Sequence, residues 1–358
     1  MVMTTEADAD NACEAGNQGE GGNGQDPGEI MDQILERTRF FPVPPDGFDP
    51  LTASSDELRD FGLPLPPNEQ THPALYEFWR RMYGLPPLKF IPISFSFKGF
   101  EQLSAIIHRR QALGFRTRRQ TSPNWSGAYI KPRDGEVFTE IWGQWQVPGP
   151  AVPPTAAMAG SYYRCSTWIG LDGQRRYYQS SLPQIGTAQS INDATGQLEF
   201  DAWWQWWVRD EFFPPVDISL PVQEGDLIMC NIRVMPDRRK VVMQMRNGST
   251  ISQAFEYDPD AHTLPIPLQV SGATAEWITE RPAIFPSDTL YDFPDYGTVL
   301  FSDCLAVSAP PSGGLSRERR LEGAQLIDMR ETRQAPPRTA KISVASLVNE
   351  RQVMTVYR

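Results

Sequence analysis

The sequence predicts an all-β protein, an antiparallel sandwich or barrel, and three observations point there. From Thr121 onward, short β-rich runs recur between Pro, Gly and Asp turn signals: Ser126–Ile130, Thr139–Val147, Ser166–Leu171, Arg176–Ser180, Phe200–Val208, Leu227–Val234, Val241–Arg246, Thr274–Glu280 and Gln352–Tyr357 are among them. No helical pattern of roughly 10–15 residues alternates with these runs, as a parallel α/β sheet would require. Nine of the ten tryptophans also lie here, at 125, 142, 145, 168, 203, 204, 206, 207 and 277.

The strand at 198–209 is the most informative. It reads L-E-F-D-A-W-W-Q-W-W-V-R, and a strand alternates its faces. Leu198, Phe200, Ala202, Trp204, Trp206 and Val208 form one face, which reads as core. Glu199, Asp201, Trp203, Gln205, Trp207 and Arg209 form the other. Tryptophans interleaved with acids and amides suit a binding groove. A face covered by another element is the bland alternative.

The amino-terminal third has a different texture. Residues 1–30 carry Glu6, Asp8, Asp10, Glu14, Glu20, Asp26 and Glu29 without a Lys or Arg, and are rich in Gly, Asn and Gln. Such a segment is expected to be a disordered acidic tail. Residues 31–120 read as a Pro-rich extension with short helices, at Met31–Phe40, near Thr52–Glu57, at Ala74–Met82 and at Phe100–Leu113. Its end is basic: His108, Arg109, Arg110, Arg116, Arg118 and Arg119. Residues 121–358 form the β-rich domain.

Composition excludes several classes. The 358-residue chain has a net charge of −11, which argues against a nucleic-acid partner. No apolar run reaches the length of a membrane span. No charged segment followed by an apolar one opens the sequence, so the expectation is a cytoplasmic protein or one secreted by a non-standard route. Four cysteines (13, 165, 230, 304), scattered and without a CxxC pair, suggest neither a disulfide framework nor zinc, although one or two bridges stay open. Of the three histidines, only His262 follows residue 120, and it sits in a turn-like segment. A Ser-His or Cys-His nucleophile is therefore not expected. An enzyme here would work with carboxylates and amides, and no cofactor or metal is expected.

Several blocks, in order, carry a resemblance. They are Asn124–Ala128 (N-W-S-G-A), Gln146–Pro148, Thr167–Gly173 (T-W-I-G-L-D-G), Leu182–Gly186 (L-P-Q-I-G), Asp201–Trp206 (D-A-W-W-Q-W), Glu224–Asp226, Ala275–Glu280 (A-E-W-I-T-E), Asp295–Val299 and Phe301–Asp303. Over about residues 122–358 the chain resembles the glutamic peptidases, or eqolisins. The resemblance implies a concanavalin-like two-sheet β-sandwich with a cleft on one concave sheet, and a catalytic dyad of Gln184 and Glu280. It also implies substrate-binding positions at Trp168, Asp172, Asp201, Trp203, Gln205 and Trp207. On local grounds alone Gln184 reads as a turn residue and Glu280 as a strand-end carboxylate; the resemblance promotes both.

The implied chemistry is coherent. Peptide hydrolysis needs an activated water and a donor for the developing oxyanion. Glu280 would be the base, and Gln184 would orient the water and donate to the oxyanion. Gln205 stands where the family often has Glu, Trp207 where it has Tyr, and Arg281–Pro282 replaces an acidic-apolar pair. The expected activity is that of a metal-independent endopeptidase, monomeric, acting on polypeptides. It is expected to work best at acidic pH, given the family and the acids Glu199, Asp201 and Glu276 near the cleft. The alternatives are a non-catalytic carbohydrate- or peptide-binding sandwich and a glycosidase pairing Glu280 with Asp201 or Glu276. Finally, the extension is expected to pack over the cleft as a propeptide would, so that a chain starting near Thr121 would be the more active. The alternative is packing on the convex back.

Overall fold

The computed structural model describes residues 26–84, 88–97, 104–105, 119–154, 161–174, 181–208, 214–259, 268–284, 289–334 and 337–358. Two antiparallel sheets face each other. In the front sheet the central strands run β11 (Val216–Ile218), β10 (Leu198–Val208), β9 (Ser181–Asn192), β8 (Tyr162–Leu171), β16 (Ala275–Glu280), β6 (Trp125–Ile130) and β20 (Gln325–Gln334). The back sheet is centred on β13 (Val241–Asn247), β12 (Leu227–Val234) and β7 (Val137–Gln146). A long strand, β18 (Thr298–Ala309), joins the two. Its first residues pair with β22 (Gln352–Tyr357) at the front, and after a register shift at Ser302/Leu305 it pairs with β7 at the back. Asp303, with φ of 49°, sits inside that shift.

Side-chain parity sorts the residues into layers. Trp204, Trp206, Ile185, Ile169, Cys165 and Trp277 point between the sheets, where they meet Trp145, Ile141, Cys230 and Met243 from the back. The opposite parity of the front sheet gathers Trp125, Tyr129, Trp168, Leu182, Trp203 and Ile278 into a separate cluster on the outer, front face. The alternation expected for 198–208 is therefore present: Trp204 and Trp206 are core, while Trp203 and Gln205 face the front. Cys165, Cys230 and Cys304 are free and buried. Among the described residues, no helix is long and apolar enough to cross a membrane.

One strand departs from expectation. Pattern alone predicts no strand over Ser181–Asn192 and a turn at Gln184, yet β9 runs through it for 12 residues and pairs with β8 and β10 along both edges. Its sequence, S-L-P-Q-I-G-T-A-Q-S-I-N, has neither β-branched enrichment nor apolar alternation. The strand is held by buried partners on both faces rather than by propensity. The strand expected at Arg176–Ser180 lies outside the described residues.

The described part of the amino-terminal extension packs on the back sheet and along the sheet edges, whereas the segment from Lys98 to Arg119, on which the expected covering of the cleft turns, lies almost wholly outside the described residues. Helix α1 spans Pro27–Glu36 and is followed by β1 (Thr38–Phe40), where one helix to Phe40 was expected. Helix α2 (Ser55–Asp60) starts with a capping box in which Ser54 and Glu57 exchange bonds. Helix α3 (Pro73–Gly84) buries Leu75, Phe78, Trp79, Met82 and Tyr83 against Trp142, Met229, Leu305 and Val307, the outward-facing residues of the back sheet. Polar bonds fix the same contact. Tyr83 Oη donates to Gln244 Oε1 (2.7 Å), Asn231 Nδ2 donates to Tyr83 Oη (3.1 Å), and Arg246 Nη1 donates to the α3 carbonyl of Arg81 (2.7 Å). That guanidinium sits at the helix C-terminus, where the dipole favours a cation. Three extension strands also join the sheets: β1 pairs with β15 (Phe255–Tyr257), β2 (Lys89–Ile91) with β14 (Thr250–Ser252), and β3 (Phe95–Ser96) with β11. The aromatics of the extension bury on the back because that face is apolar and lies next to these strands. Within the expected helix Phe100–Leu113, the described pair Ser104–Ala105 is instead a strand, β4, antiparallel to Ala283–Ile284 (β17). The rest of that segment and its basic cluster, apart from Arg119, lie outside the described residues.

Candidate active site

Register alone assembles the front face into three rows. Trp125, Glu280, Ser166, Ala188 and Asp201 share the first row, and Gly127, Ile278, Trp168, Gly186 and Trp203 the second. The third holds Tyr129, Glu276, Gly170, Gln184 and Gln205. Glu280 and Gln184 thus lie on opposite sides of the Trp168 row, on the strands that flank β8. The glycines have a steric reason. A Cβ on Gly186 would sit 2.5 Å from the Trp168 Cβ, and one on Gly170 would sit 2.8 Å from Leu182 and 3.0 Å from the Trp168 ring. Without those side chains the Trp168 indole lies along the sheet.

Trp168 Nε1 donates to Glu280 Oε2 at 2.8 Å, and Asn124 Nδ2 donates to Glu280 Oε1 at 3.3 Å. Trp125 packs edge-on against Trp168, with centroids 5.0 Å apart. Ser122 accepts from the Asn124 amide N–H and donates to its side chain, which sets the Asn124 orientation. Glu280 is 1% exposed. Burial pushes its carboxyl up to about 8, against the opposing pull of the bonds from Trp168, Trp125 and Asn124.

Gln184 is fully buried. Its Nε2 donates to Gln205 Oε1 at 2.9 Å, and its Oε1 has no hydrogen-bond partner among the described residues. Gln205 therefore fixes which way the Gln184 amide faces: one N–H is held and the carbonyl oxygen is left available. A neutral acceptor here keeps that bond independent of pH.

The other expected residues divide. Trp203 lies beside Gly186 on the front face, and Trp207, half-buried, lies opposite Leu182. Asp201 faces Arg164 across 3.9 Å, both nearly buried, at the far end of the Glu280 row. Asp172 is engaged by the chain itself. Its carboxylate accepts from the Ser271 amide (2.6 Å), the Ser271 hydroxyl (2.7 Å) and the Ala273 amide (2.8 Å), so it clamps the segment that leads into β16. Burial raises its carboxyl. Arg281, a departure noted in the sequence, ties the exit of β16 to Glu331 through Nη1 at 2.9 Å.

The sequence reading missed the roles of two groups. Asn124 lies in a quoted motif, so its signal was present without a role. Glu276, read as a nearby acid and as a possible partner of Glu280 in the glycosidase alternative, is fully buried and receives bonds from Gln174 and Thr274. Among the described residues, no three His, Cys, Asp or Glu side chains are grouped as a metal site needs.

The chain is similar over 55% of its length, at 20% identity and a TM-score of 0.38, to aspergilloglutamic peptidase from Aspergillus niger, 99% of which is covered. A weaker likeness, at 11% identity and a TM-score of 0.24, covers 46% of this chain and 20% of tailspike protein 2 from the Escherichia coli O157:H7 bacteriophage CAB120. A search of curated protein sequences returns no match. The model of the Peptidase A4 family matches residues 123–356, well over half of the sequence and all three rows of the front face, and the chain therefore belongs to that family, the glutamic peptidases.

Proposed function

We propose that this peptidase hydrolyses internal peptide bonds with Glu280 as general base and Gln184 as the group that orients water and stabilises the oxyanion. The observation that carries the reading is the pair of supports. Glu280 is gripped by Trp168 and Asn124, and Gln184 is held by Gln205 with its carbonyl oxygen unpartnered, both on one face. On a flat sheet, two interstrand spacings and four residues of strand separate their Cα atoms by roughly 16 Å. The two side chains, with a water against a peptide carbonyl between them, have that distance to span.

In the reaction, water attacks the carbonyl carbon while its proton passes to Glu280. Gln184 Oε1 accepts a hydrogen bond from the water's second O–H, which stays on the attacking oxygen, and the free Nε2–H donates to the oxyanion. The tetrahedral intermediate then expels the amine, which takes the proton back from Glu280. Glycosidase chemistry fits less well. Glu276 and Glu280 lie four residues apart on one strand, about 13 Å, and Asp201 lies three strands from Glu280. The Glu276 carboxyl is tied to Gln174 and Thr274 and the Asp201 carboxylate faces Arg164, so each is engaged away from the Glu280 carboxyl.

Digestion of an unfolded protein over a pH series tests the proposal. Glu280→Gln is expected to lower the rate by about 10²–10⁴-fold, and Gln184→Ala by about 10²–10³-fold through the lost oxyanion donor. Near-wild-type turnover in either variant overturns the mechanism, and a folded wild type that binds unfolded chains without cutting them supports the binding-module alternative. The base must be ionised, so with its carboxyl near 8 the rate is expected to rise with pH toward neutrality and beyond. This opposes the acid optimum that the resemblance implies. The Trp168 indole stabilises the ionised form, so Trp168→Phe is expected to move the rising limb to higher pH. An unmoved or lowered limb in that variant means that Glu280 is not the titrating base.

A further inference from the structure

A cleft of about 890 Å³ opens on the outer face of the back sheet, on the side of the sandwich away from Glu280. The extension and the sandwich build it together. Pro64, Leu65, Pro67 and Leu75 form one wall, the loop at Leu315 and Ser316 another, and Arg233, Glu140 and Val307 the floor. Register sets the floor: Arg233 on β12 stands opposite Glu140 on β7, and Glu140 opposite Val307 on β18. Apolar walls around a few convergent polar groups are the usual form of a small-molecule site.

The two floor charges are short of partners. Arg233 gives Nη2 to the Gly62 carbonyl, and its buried Nε has no hydrogen-bond partner among the described residues. Glu140 Oε2 accepts from Trp142 Nε1 at 2.9 Å. Although Arg233 and Glu140 stand opposite each other, no hydrogen bond or ion pair joins them among the described residues. Burial lowers the Arg233 guanidinium and raises the Glu140 carboxyl, against the pull of each on the other. The remaining charges at the rim are engaged. Glu318 accepts from the Leu75 amide and from Arg320 Nε, both at 2.9 Å, and Arg317 faces Asp134 at 3.4 Å and Glu136 at 3.3 Å. At the mouth, Leu315 is 89% exposed and follows Gly313 and Gly314, whose φ values are 83° and 136°. Those glycines leave the leucine free to swing inward as an apolar cover.

A cation and an anion at neighbouring positions, both wanting a counter-charge, match a ligand that carries the opposite pair on neighbouring atoms. An α-amino acid does, with its carboxylate and ammonium on one carbon. We propose that this cleft binds a free α-amino acid with an apolar side chain. Its carboxylate accepts from the Arg233 guanidinium, and its ammonium donates to Glu140 Oε1. Its side chain lies among Pro64, Leu75 and Val307, with Leu315 closing over it. The bound molecule bridges the extension and the back sheet, so it stabilises the docked extension.

Calorimetry on the full-length chain tests this, with L-leucine and L-phenylalanine as probes. At least one is expected to bind saturably and to raise the unfolding temperature, because it binds only the folded state. Leucine amide, which lacks the carboxylate, and isocaproate, which is leucine without its ammonium, are each expected to bind about tenfold more weakly. Glu140→Gln keeps an acceptor for Trp142 and is expected to weaken leucine about tenfold while leaving isocaproate unchanged. Leu315→Ser alters a side chain outside the core, and is expected to weaken leucine about threefold without changing the unfolding temperature of the free chain. No saturable binding of either amino acid by the folded wild type overturns the proposal, as does isocaproate or leucine amide binding as tightly as leucine. Wild-type affinity in a folded Glu140→Gln protein places the amino acid elsewhere, the front face included, and overturns it too. Should Glu140→Gln not fold, unchanged affinity in Leu315→Ser overturns it instead. None of these outcomes depends on Gln184 or Glu280, so this site and the assigned dyad stand or fall separately.

Discussion

A chain that begins at Thr121 is expected not to fold, although the family match begins at residue 123. The back sheet explains why. Helix α3 buries Leu75, Phe78, Trp79, Met82 and Tyr83, each at most 3% exposed, against Trp142, Met229, Leu305 and Val307. At roughly 1.5–3 kcal/mol for each large apolar side chain, that helix contributes on the order of 10 kcal/mol, comparable with the whole net stability of a typical domain. Truncation also removes Tyr83 from Asn231 and Gln244, and the α3 carbonyls from Arg246, leaving polar groups stranded on an apolar surface. It strips β1, β2 and β3 from the sheet edges, which then offer unpaired strands to other chains. Arg119 goes too, leaving Asp328, fully buried, with Lys341 at 2.9 Å but without its guanidinium partner. The truncated chain should therefore aggregate, or bind hydrophobic dyes without near-UV circular dichroism. A soluble protein that unfolds cooperatively within a few degrees of full length would show the extension to be dispensable.

How far the sequence reads depends on where each element finds its partners. The 198–208 strand was legible because two-residue alternation is a local signal, with an apolar face against one that interleaves tryptophans with acids and an amide. Helix α3 was legible from Leu75, Phe78, Trp79 and Met82, spaced as one helical face. Its docking surface was not. Asn231, Gln244 and Arg246 lie some 150 residues away, and nothing in the extension says which side of a sandwich it will meet. The aromatic face of α3 found its area on the back sheet, while the basic residues at 108–118, which suggested an acidic cleft, lie outside the described residues. Strand β9 was the opposite case. Pro183, Gln184, Gly186, Gln189 and Ser190 carry no strand signal, and only the motif order marked Gln184. Of the site, Gln184, Glu280 and Trp168 follow from motifs. The clamp made by Asp172 and the grip of Asn124 on Glu280 join residues about 100 and 156 positions apart, and these appear only once the strands are paired.

Glu280→Gln is expected to separate activity from stability, which would move in opposite directions. Hydrolysis falls by about 10²–10⁴-fold because the base is gone. Stability at neutral and alkaline pH rises. The sign follows from proton linkage. The carboxyl titrates near 4.5 when unfolded and near 8 in the folded chain, so between those values the folded state holds a proton that the unfolded state has released. Stability from this group is fully present below about 4.5, declines as pH rises, and is lost above about 8, a total on the order of a few kcal/mol. Glu276, Asp172 and Glu140, raised by the same burial, add slope of the same sign, whereas Glu136, lowered by its bonds to Ser308 and Arg319, opposes it at the acid end. The amide introduced by Glu280→Gln would have no proton to lose and would keep an acceptor for Trp168. Denaturant unfolding measured at pH 4.5, 6 and 8 should therefore show wild type weakening steadily, and the variant weakening less and being the more stable of the two at pH 8. Parallel curves would mean that Glu280 is hydrated and titrates normally. The rising limb of activity would then lie in the acid range, and the acid optimum implied by the resemblance would be the correct reading.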